Sequence, residues 1–345
     1  MAYIVLADDG IEFDGESPAK GPLGGVESSI VNLTRALVGH GHDVSVHNMC
    51  AEAKVIEGVS WHPLSDGLPE TADLYIANRG DKLIPLMPGA RRTVFWVHNP
   101  AQYLLKWRYL SKLWRLKPPI IFIGDYHAST YPVWAPGGQR VVIPYGISDD
   151  FCNVPEAESP PPARAIFTSN PLRSLDWLLD VWEARIHPQA PGAELHIFSG
   201  AMTYGRVGAL KSADMEVVLD RARTLSKQGV MLRRPVSKQD LIAEFGKARV
   251  MMYKGDENET FCLAVGEAQA AGVPAVVQRY GSVVERVKHG QTGVIADNDI
   301  EFTEAVLAFL QDDVCWRESH VNAQRLQRSW GWAEAARAFE ELLLL

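Results

Sequence analysis

Short apolar runs alternate along this chain with longer stretches in which apolar residues recur every three or four positions, the pattern of strands followed by amphipathic helices. In the first half the runs at 3–7, 43–48, 74–77, 93–97, 120–123 and 141–143 predict strands, with helices starting near Val26 and Ala101. The stretch 155–163 is rich in proline and acid, too poor in apolar residues to pack, and reads as a linker. The pattern then restarts: strand 165–168, helix 172–185, strand 194–198, helix 214–228, strand 230–233, helix 241–247. Such alternation is expected of parallel sheets covered on both faces, so the chain predicts two Rossmann-like α/β domains. Their bounds are expected at 1–152 and 164–328, with a linker at 153–163 and a closing helix at 329–345. Trp330-Gly331-Trp332 and the apolar stripe Ala335, Phe339, Leu342 and Leu343 need a partner surface in one of the domains.

Length and charge narrow the picture. With 345 residues, each of two domains can bury its own core. A net charge of −8 argues against a general nucleic-acid binder. Cys50, Cys152, Cys262 and Cys315 are scattered, with neither a Cys-x-x-Cys pair nor a metal-ligand cluster, which suits a reducing compartment. The start, Met1-Ala2-Tyr3-Ile4-Val5-Leu6, reads as a first strand rather than a signal peptide. No apolar run approaches the roughly 20 residues of a membrane helix, so a cytoplasmic protein is expected, with any membrane contact peripheral.

The chemistry concentrates at Glu259-Thr260-Phe261-Cys262-Leu263-Ala264-Val265-Gly266-Glu267, where two carboxylates are separated by seven residues. Apolar 250–253 reads as a buried strand, 255–258 as a polar turn and 263–271 as a helix. Glu259 then lies at the carboxyl end of the strand, with Glu267 about one turn into the helix. Backbone amides near Leu263 and Ala264 are placed to hold a diphosphate. This composes a nucleotide-sugar site: one carboxylate for sugar hydroxyls, amides for phosphate and one carboxylate for ribose.

The continuation, Glu267-Ala268-Gln269-Ala270-Ala271-Gly272-Val273-Pro274, then Gly281-Ser282, Glu285, Gly290 and Thr292-Gly293, closely resembles the carboxyl-terminal signature of the retaining glycosyltransferases of family four, the glycosyl transferases group 1. The chain departs from that pattern with Cys262 for a glycine, Lys254 for a proline and Gly281-Ser282 for a glycine pair. The resemblance implies the GT-B fold, two Rossmann-like domains facing across a cleft with the C-terminal helix crossing back to the first. It implies a metal-independent hexosyltransferase moving sugar from a nucleoside diphosphate to a glycan or lipid-linked acceptor hydroxyl, in cell-surface glycan or glycolipid synthesis. It also implies roles for named residues: His98 facing the donor sugar, Arg173 on the leaving diphosphate and Gly24 and Gly25 beside the donor phosphates. Arg233 would lie near the base, and Phe261, Cys262, Leu263 and Ala264 would form the donor loop. Asn170 stands where relatives place a second cation, leaving Lys254, Arg233 or Arg206 to supply it. Pro144-Tyr145-Gly146 resembles the family's hinge-side segment and is read as structural. No cofactor is implied. A nucleotide-sugar 2-epimerase and a catalytically silent sugar- or lipid-binding subunit are the alternatives on the same fold.

Asp8-Asp9, Asp149-Asp150 and Asp312-Asp313 lack the spacing of a metal site and read as solvated acid. The segment 103–117 carries five cations and four aromatics in an otherwise acidic chain. On a helix, Tyr103, Trp107, Leu110 and Trp114 fall on one stripe with Lys106, Arg108, Lys112 and Arg115 beside it, a surface suited to an anionic membrane.

Overall fold

The computed structural model describes residues 1–21, 23–200 and 211–344. The chain divides into two compact units: Met1–Lys20, Gly25–Gly146 and Trp330–Leu345 form the first, Gly21–Gly24 and Ile147–Ser329 the second.

The first unit is built on β1 (Tyr3–Asp8), β2 (Asp43–Asn48), β3 (Lys54–Ile56), β4 (Val59–Pro63), β5 (Ala72–Asn78), β6 (Ala90–Trp96), β7 (Ile120–Phe122) and β8 (Arg140–Val142). Their order is β3-β4-β2-β1-β5-β6-β7-β8, with every pair parallel except β3–β4. The apolar runs are buried as continuous strands: Ile4, Val5, Leu6 and Ala7 are inaccessible, as are Leu74, Tyr75, Ile76 and Ala77. The β3–β4 hairpin was not expected. Its turn places Glu57 and Gly58 at φ 50° and 80°, the two positive values a tight two-residue hairpin requires. From β1 the strands run outward in both directions, so the carboxyl ends of β1 and β5 meet where the strand order reverses, the usual place for a ligand crevice in such sheets.

The closing helix Trp332–Glu341 belongs to this first unit and packs on helix Gly25–Gly39. Phe339 meets Trp96 edge-on at 5.2 Å, and Glu340 accepts from His40 at 2.6 Å. Gly146 permits this return, because a Cβ there would lie 2.3 Å from the backbone nitrogen of Trp332. Tyr103, expected on the outer stripe, turns inward and stacks edge-on against Tyr109 at 5.1 Å. The reason is local: Ala101–Leu105 is a 3-10 turn, and the α-helix begins only at Trp107.

The second unit contains β9 (Arg164–Phe167), β10 (Glu194–Phe198), β11 (Val230–Arg233), β12 (Val250–Tyr253), β13 (Ala275–Gln278) and β14 (Gly293–Ala296), all parallel, in the order β11-β10-β9-β12-β13-β14. Here the reversal lies between β9 and β12, bringing the loops that carry Arg173 and Glu259 side by side. Ile147 and Phe151 pack in this unit's core, so the units divide at Gly146, ahead of the expected boundary at 152. The stretch expected to be a linker has neither helix nor strand, yet it is tied down. Arg328 donates to the carbonyl of Val154 at 2.6 Å, Arg317 to that of Glu158 at 2.6 Å, and the amide of Ala157 to His320 at 3.1 Å.

Candidate functional site

In the second unit the chain leaves β12 at Tyr253, turns through Gly255 and enters helix Leu263–Ala270. The turn is interlocked with the loop after β13. A Cβ on Gly255 would come within 2.4 Å of the carbonyl of Tyr280, and one on Gly281 within 2.4 Å of that of Asp256. Both glycines have positive φ, so the backbone and the close approach each require them.

This turn delivers Glu259 to the end of β12, buried, where its carboxylate joins two elements. Oε1 accepts from the Arg173 guanidinium and Oε2 from the Tyr253 hydroxyl at 2.6 Å. Burial, reinforced by the Glu259 charge, holds the Tyr253 phenol well above its ordinary pKa, so it is a permanent donor. A carboxylate offers about four lone-pair sites, so Glu259 can accept from a ligand beside these two donors. Asn170 organises the loop carrying Arg173. Its Oδ1 accepts from the amide of Leu172 at 2.9 Å, and its carbonyl from that of Arg173 at 3.0 Å. The residue that lacks the expected charge is a turn former.

Cys262, the residue before the helix, adopts φ 62° and is buried. Burial, with the Glu259 charge added, pushes its thiol pKa well up, so it stays protonated. The helix has no side-chain cap, and its first amides at Leu263 and Ala264 form the donor end of the helix dipole. Glu267 is buried one turn on and is gripped by Lys238, whose Nζ lies 2.5 and 2.6 Å from its two oxygens. Lys238 rests over the Phe151 ring at 5.5 Å.

Four further cations are accounted for differently. Lys254 lies over the Trp177 ring at 4.8 Å, and Arg233 is exposed at the end of β11. Arg206 lies outside the described residues. Arg286, which the sequence did not single out, stacks over Phe261 at 4.1 Å, its buried Nε lacks a hydrogen-bond partner among the described residues, and burial lowers its pKa.

In the first unit, the strand ends at the order reversal carry a buried polar chain. Glu27, in the first turn of helix Gly25–Gly39, accepts from Arg79 at 3.0 Å, and Arg79 grips Asp8 at 2.8 and 2.9 Å. Asn78 donates to Asp8 at 2.7 Å, and its carbonyl oxygen meets His98 Nε2 at 2.5 Å, while His98 Nδ1 meets the Tyr145 hydroxyl at 2.5 Å. The Asn78 contact makes Nε2 the donor, so Nδ1 accepts from Tyr145 and the ring is neutral. Burial, followed by the charges of Arg79 and His127, holds its pKa well below the ordinary value. Both ring nitrogens of His98 are therefore engaged within the fold, and a sugar hydroxyl could use one only by displacing Asn78 or Tyr145. Gly24 groups with the second unit and Gly25 opens the first unit's helix, where a Cβ would meet nothing within 4 Å. Packing does not demand that glycine. Among the described residues no three His, Cys, Asp or Glu side chains gather as a metal cluster, and no helix is long and apolar enough to cross a membrane.

The sequence singled out Glu259, Glu267, Arg173 and the helix start, but not Tyr253, which lies six residues before Glu259 at the end of the same strand, nor Lys238 and Arg286, which depend on which elements become neighbours. Residues 165–312 match the family described as glycosyl transferases group 1. The D-inositol 3-phosphate glycosyltransferase of Corynebacterium diphtheriae is 29% identical over 143 residues, 41% of this chain. The match spans 33% of that relative's length. Sucrose-phosphate synthase from Thermosynechococcus elongatus superposes with a TM-score of 0.74 at 15% identity, covering 99% of this chain and 98% of that one. The Anabaena protein HepE, solved with UDP-glucose, gives 0.68 at 14% identity over 100% of both chains. The chain has the GT-B fold, and its second unit resembles the glycosyl transferases group 1 over residues 165–312.

Proposed function

We propose that the protein is a retaining glycosyltransferase that moves a sugar from a nucleoside diphosphate to an acceptor hydroxyl, without a metal. The observation that carries this reading is the junction of β12 and helix Leu263–Ala270. Buried Glu259 is paired with Arg173 at the helix start, and buried Glu267 lies one turn along. The matched family segment and the UDP-glucose bound by HepE support it.

In this reading Glu259 accepts from sugar hydroxyls through its remaining lone pairs, and Glu267 takes the ribose diol in place of, or beside, Lys238. The amides of Leu263 and Ala264 and the Arg173 guanidinium meet the diphosphate, with Phe261 and Cys262 shaping the loop. Arg286 is the candidate for the second cation and Arg233 lies toward the base. His98 acts as a positioning residue in the first unit, holding Asn78 and Tyr145. The acceptor oxygen forms its bond to the anomeric carbon on the face from which the phosphate departs. The sugar–phosphate bond breaks with its electron pair staying on the diphosphate, and a phosphate oxygen takes the acceptor proton. Charge thus grows on the leaving group, where Arg173 and the helix amides stabilise it. The acceptor class is a glycan or lipid-linked sugar of the cell surface.

Thermal-shift measurements with UDP, GDP, ADP and their sugars test the reading, since a ligand of the folded state raises apparent stability. A stabilising nucleotide sugar should then be hydrolysed slowly, releasing nucleoside diphosphate. Conversion of the sugar without release would indicate an epimerase, and binding with neither would indicate a silent subunit.

A further inference from the structure

The first unit carries a face that the polar chain around His98 does not use. Helix Trp107–Leu116 packs inward through Tyr109 and Leu113 and turns Trp107 and Trp114 outward, 80% and 70% exposed. The segment that follows Tyr131 adds Val133 and Trp134, 94% and 74% exposed. Helix and segment bound an apolar groove of about 700 Å³ between Trp107, Leu110, Trp114, Trp134 and Pro136. Contiguous exposed apolar surface of this kind marks a contact site.

A second cavity, of about 610 Å³, adjoins it through Arg115. Its cationic lining is Arg91, Arg92, Arg115 and Lys117, and no carboxylate among the described residues lines it. Asp81 pairs with Arg108 at 3.4 Å and with Lys112, but none of these four cations is in an ion pair among the described residues. In a chain of net charge −8, four exposed cations outside any ion pair among the described residues, beside three outstanding indoles, suit an anionic partner. Indoles that stand this far out fit a soft medium better than a shaped pocket, and tryptophan's apolar body and N–H suit the boundary between lipid headgroup and acyl chain. The guanidinium fork suits phosphate.

We propose that this face seats the first unit on an anionic lipid bilayer, with Trp107, Trp114 and Trp134 in the headgroup boundary and Arg91, Arg92, Arg115 and Lys117 on lipid phosphates. The proposal goes beyond the transfer reaction and does not depend on it.

Co-sedimentation with vesicles of phosphatidylglycerol and phosphatidylcholine in equal parts tests it. The wild-type chain should bind at low salt, with a blue shift of tryptophan emission, and should not bind pure phosphatidylcholine to the same extent. Each cation near such a surface contributes roughly fivefold in affinity, so replacing all four with Gln should reduce binding by well over tenfold. Replacing the three tryptophans with Ser should remove the blue shift. All seven positions lie on the surface, and unchanged circular dichroism would show that the variants are folded. Wild-type protein that stays in the supernatant at low salt, or variants that bind as the wild type does, would overturn the proposal. So would a wild-type dimer in solution that the tryptophan variant converts to monomer, because the face would then be a self-interface. Inorganic phosphate that competes fully with the vesicles would also overturn it, by reassigning the cations to a free anion.

Discussion

Lys238 holds both carboxylate oxygens of Glu267, at 2.5 and 2.6 Å, so the acid proposed to receive ribose is already neutralised within its own unit. Breaking this pair from either side should have different consequences. Glu267→Ala removes the acceptor, and hydrogen bonds to a charged group are worth about 1.5–3 kcal/mol. Nucleoside diphosphate should lose most of its stabilising effect in a thermal-shift assay. Lys238→Met leaves a buried carboxylate unpaired, so the ligand-free protein should melt earlier, while the nucleotide-induced shift should grow because the diol now supplies the missing donors. Equal loss of nucleotide binding in both variants would show that Lys238 contacts the ligand itself.

Arg173 and Tyr253 share the Glu259 carboxylate, one on each oxygen, and the same logic separates them. If Arg173 stabilises charge that appears only as the phosphate departs, Arg173→Ala should lower kcat more than it raises KM. Tyr253→Phe removes a donor far from any phosphate role and should chiefly alter sugar affinity, through a Glu259 freed to move. Because both residues contact one carboxylate, the effects of the double variant should fall short of the sum. Strict additivity in kcat/KM would argue against the shared site.

The strands and the site acids were legible for a common reason: a strand buried on both faces must be apolar throughout, and a carboxylate at a strand end stands out against it. The hairpin Lys54–Pro63 escaped because its strands are short and its turn uses Glu57-Gly58, without the Asn-Gly signal. Tyr103 was placed on the wrong face because a period of 3.6 was carried through a 3-10 turn. The domain boundary was missed because proline and acid mark a stretch without strand or helix, and such a stretch can still be tied down by Arg317 and Arg328. Lys238 has no local signature at all. Its partner is 29 positions away and becomes adjacent only when helix Lys238–Phe245 and helix Leu263–Ala270 pack in one unit.

Arg79 connects buried Asp8 and Glu27, and its loss should be felt as instability of the first unit. Removing one member of a buried ion network leaves uncompensated charge, at a cost of about 3–5 kcal/mol. Arg79→Met should therefore lower the urea midpoint strongly. Lys20→Gln, at an exposed pair with Glu16, should change stability by less than about 1 kcal/mol and serves as the control. Comparable midpoints for the two variants would deny the network its structural role.

Stability should fall in acid for a specific reason. Burial lowers the pKa of His127 to about 4, with the Asn99 carbonyl partly opposing it. Burial, followed by the His62 charge, lowers His47 to about 4 as well. The ordinary value is 6.5, so between 6.5 and about 4 the unfolded chain binds protons that the folded chain refuses. The contribution of these residues is complete above 6.5 and declines as pH falls toward 4. At about 1.4 kcal/mol per unit, fully buried His127 alone accounts for on the order of 3 kcal/mol. Tm should drop steeply across this window, and NMR should find the His127 ring untitrated at pH 5.5; a ring that titrates near 6.5 in the folded protein would refute the account.

Cys262 stands where the family resemblance places a glycine, in the loop proposed to meet the donor. The residue keeps φ 62°, a conformation that costs a non-glycine residue about 1–2 kcal/mol. Its side chain is buried beside Glu259, so truncation also removes favourable contacts of similar size. Cys262→Gly should consequently change Tm little and retain turnover. Cys262→Val, β-branched in a left-handed conformation, should destabilise the loop and reduce nucleotide-sugar binding. Burial keeps the thiol protonated, so iodoacetamide should label this position only as the protein unfolds. Rapid labelling of Cys262 in the native protein, or a Cys262→Val variant as stable as the glycine one, would mean that the loop relaxes out of the left-handed geometry and that the helix-start amides are not held for a phosphate.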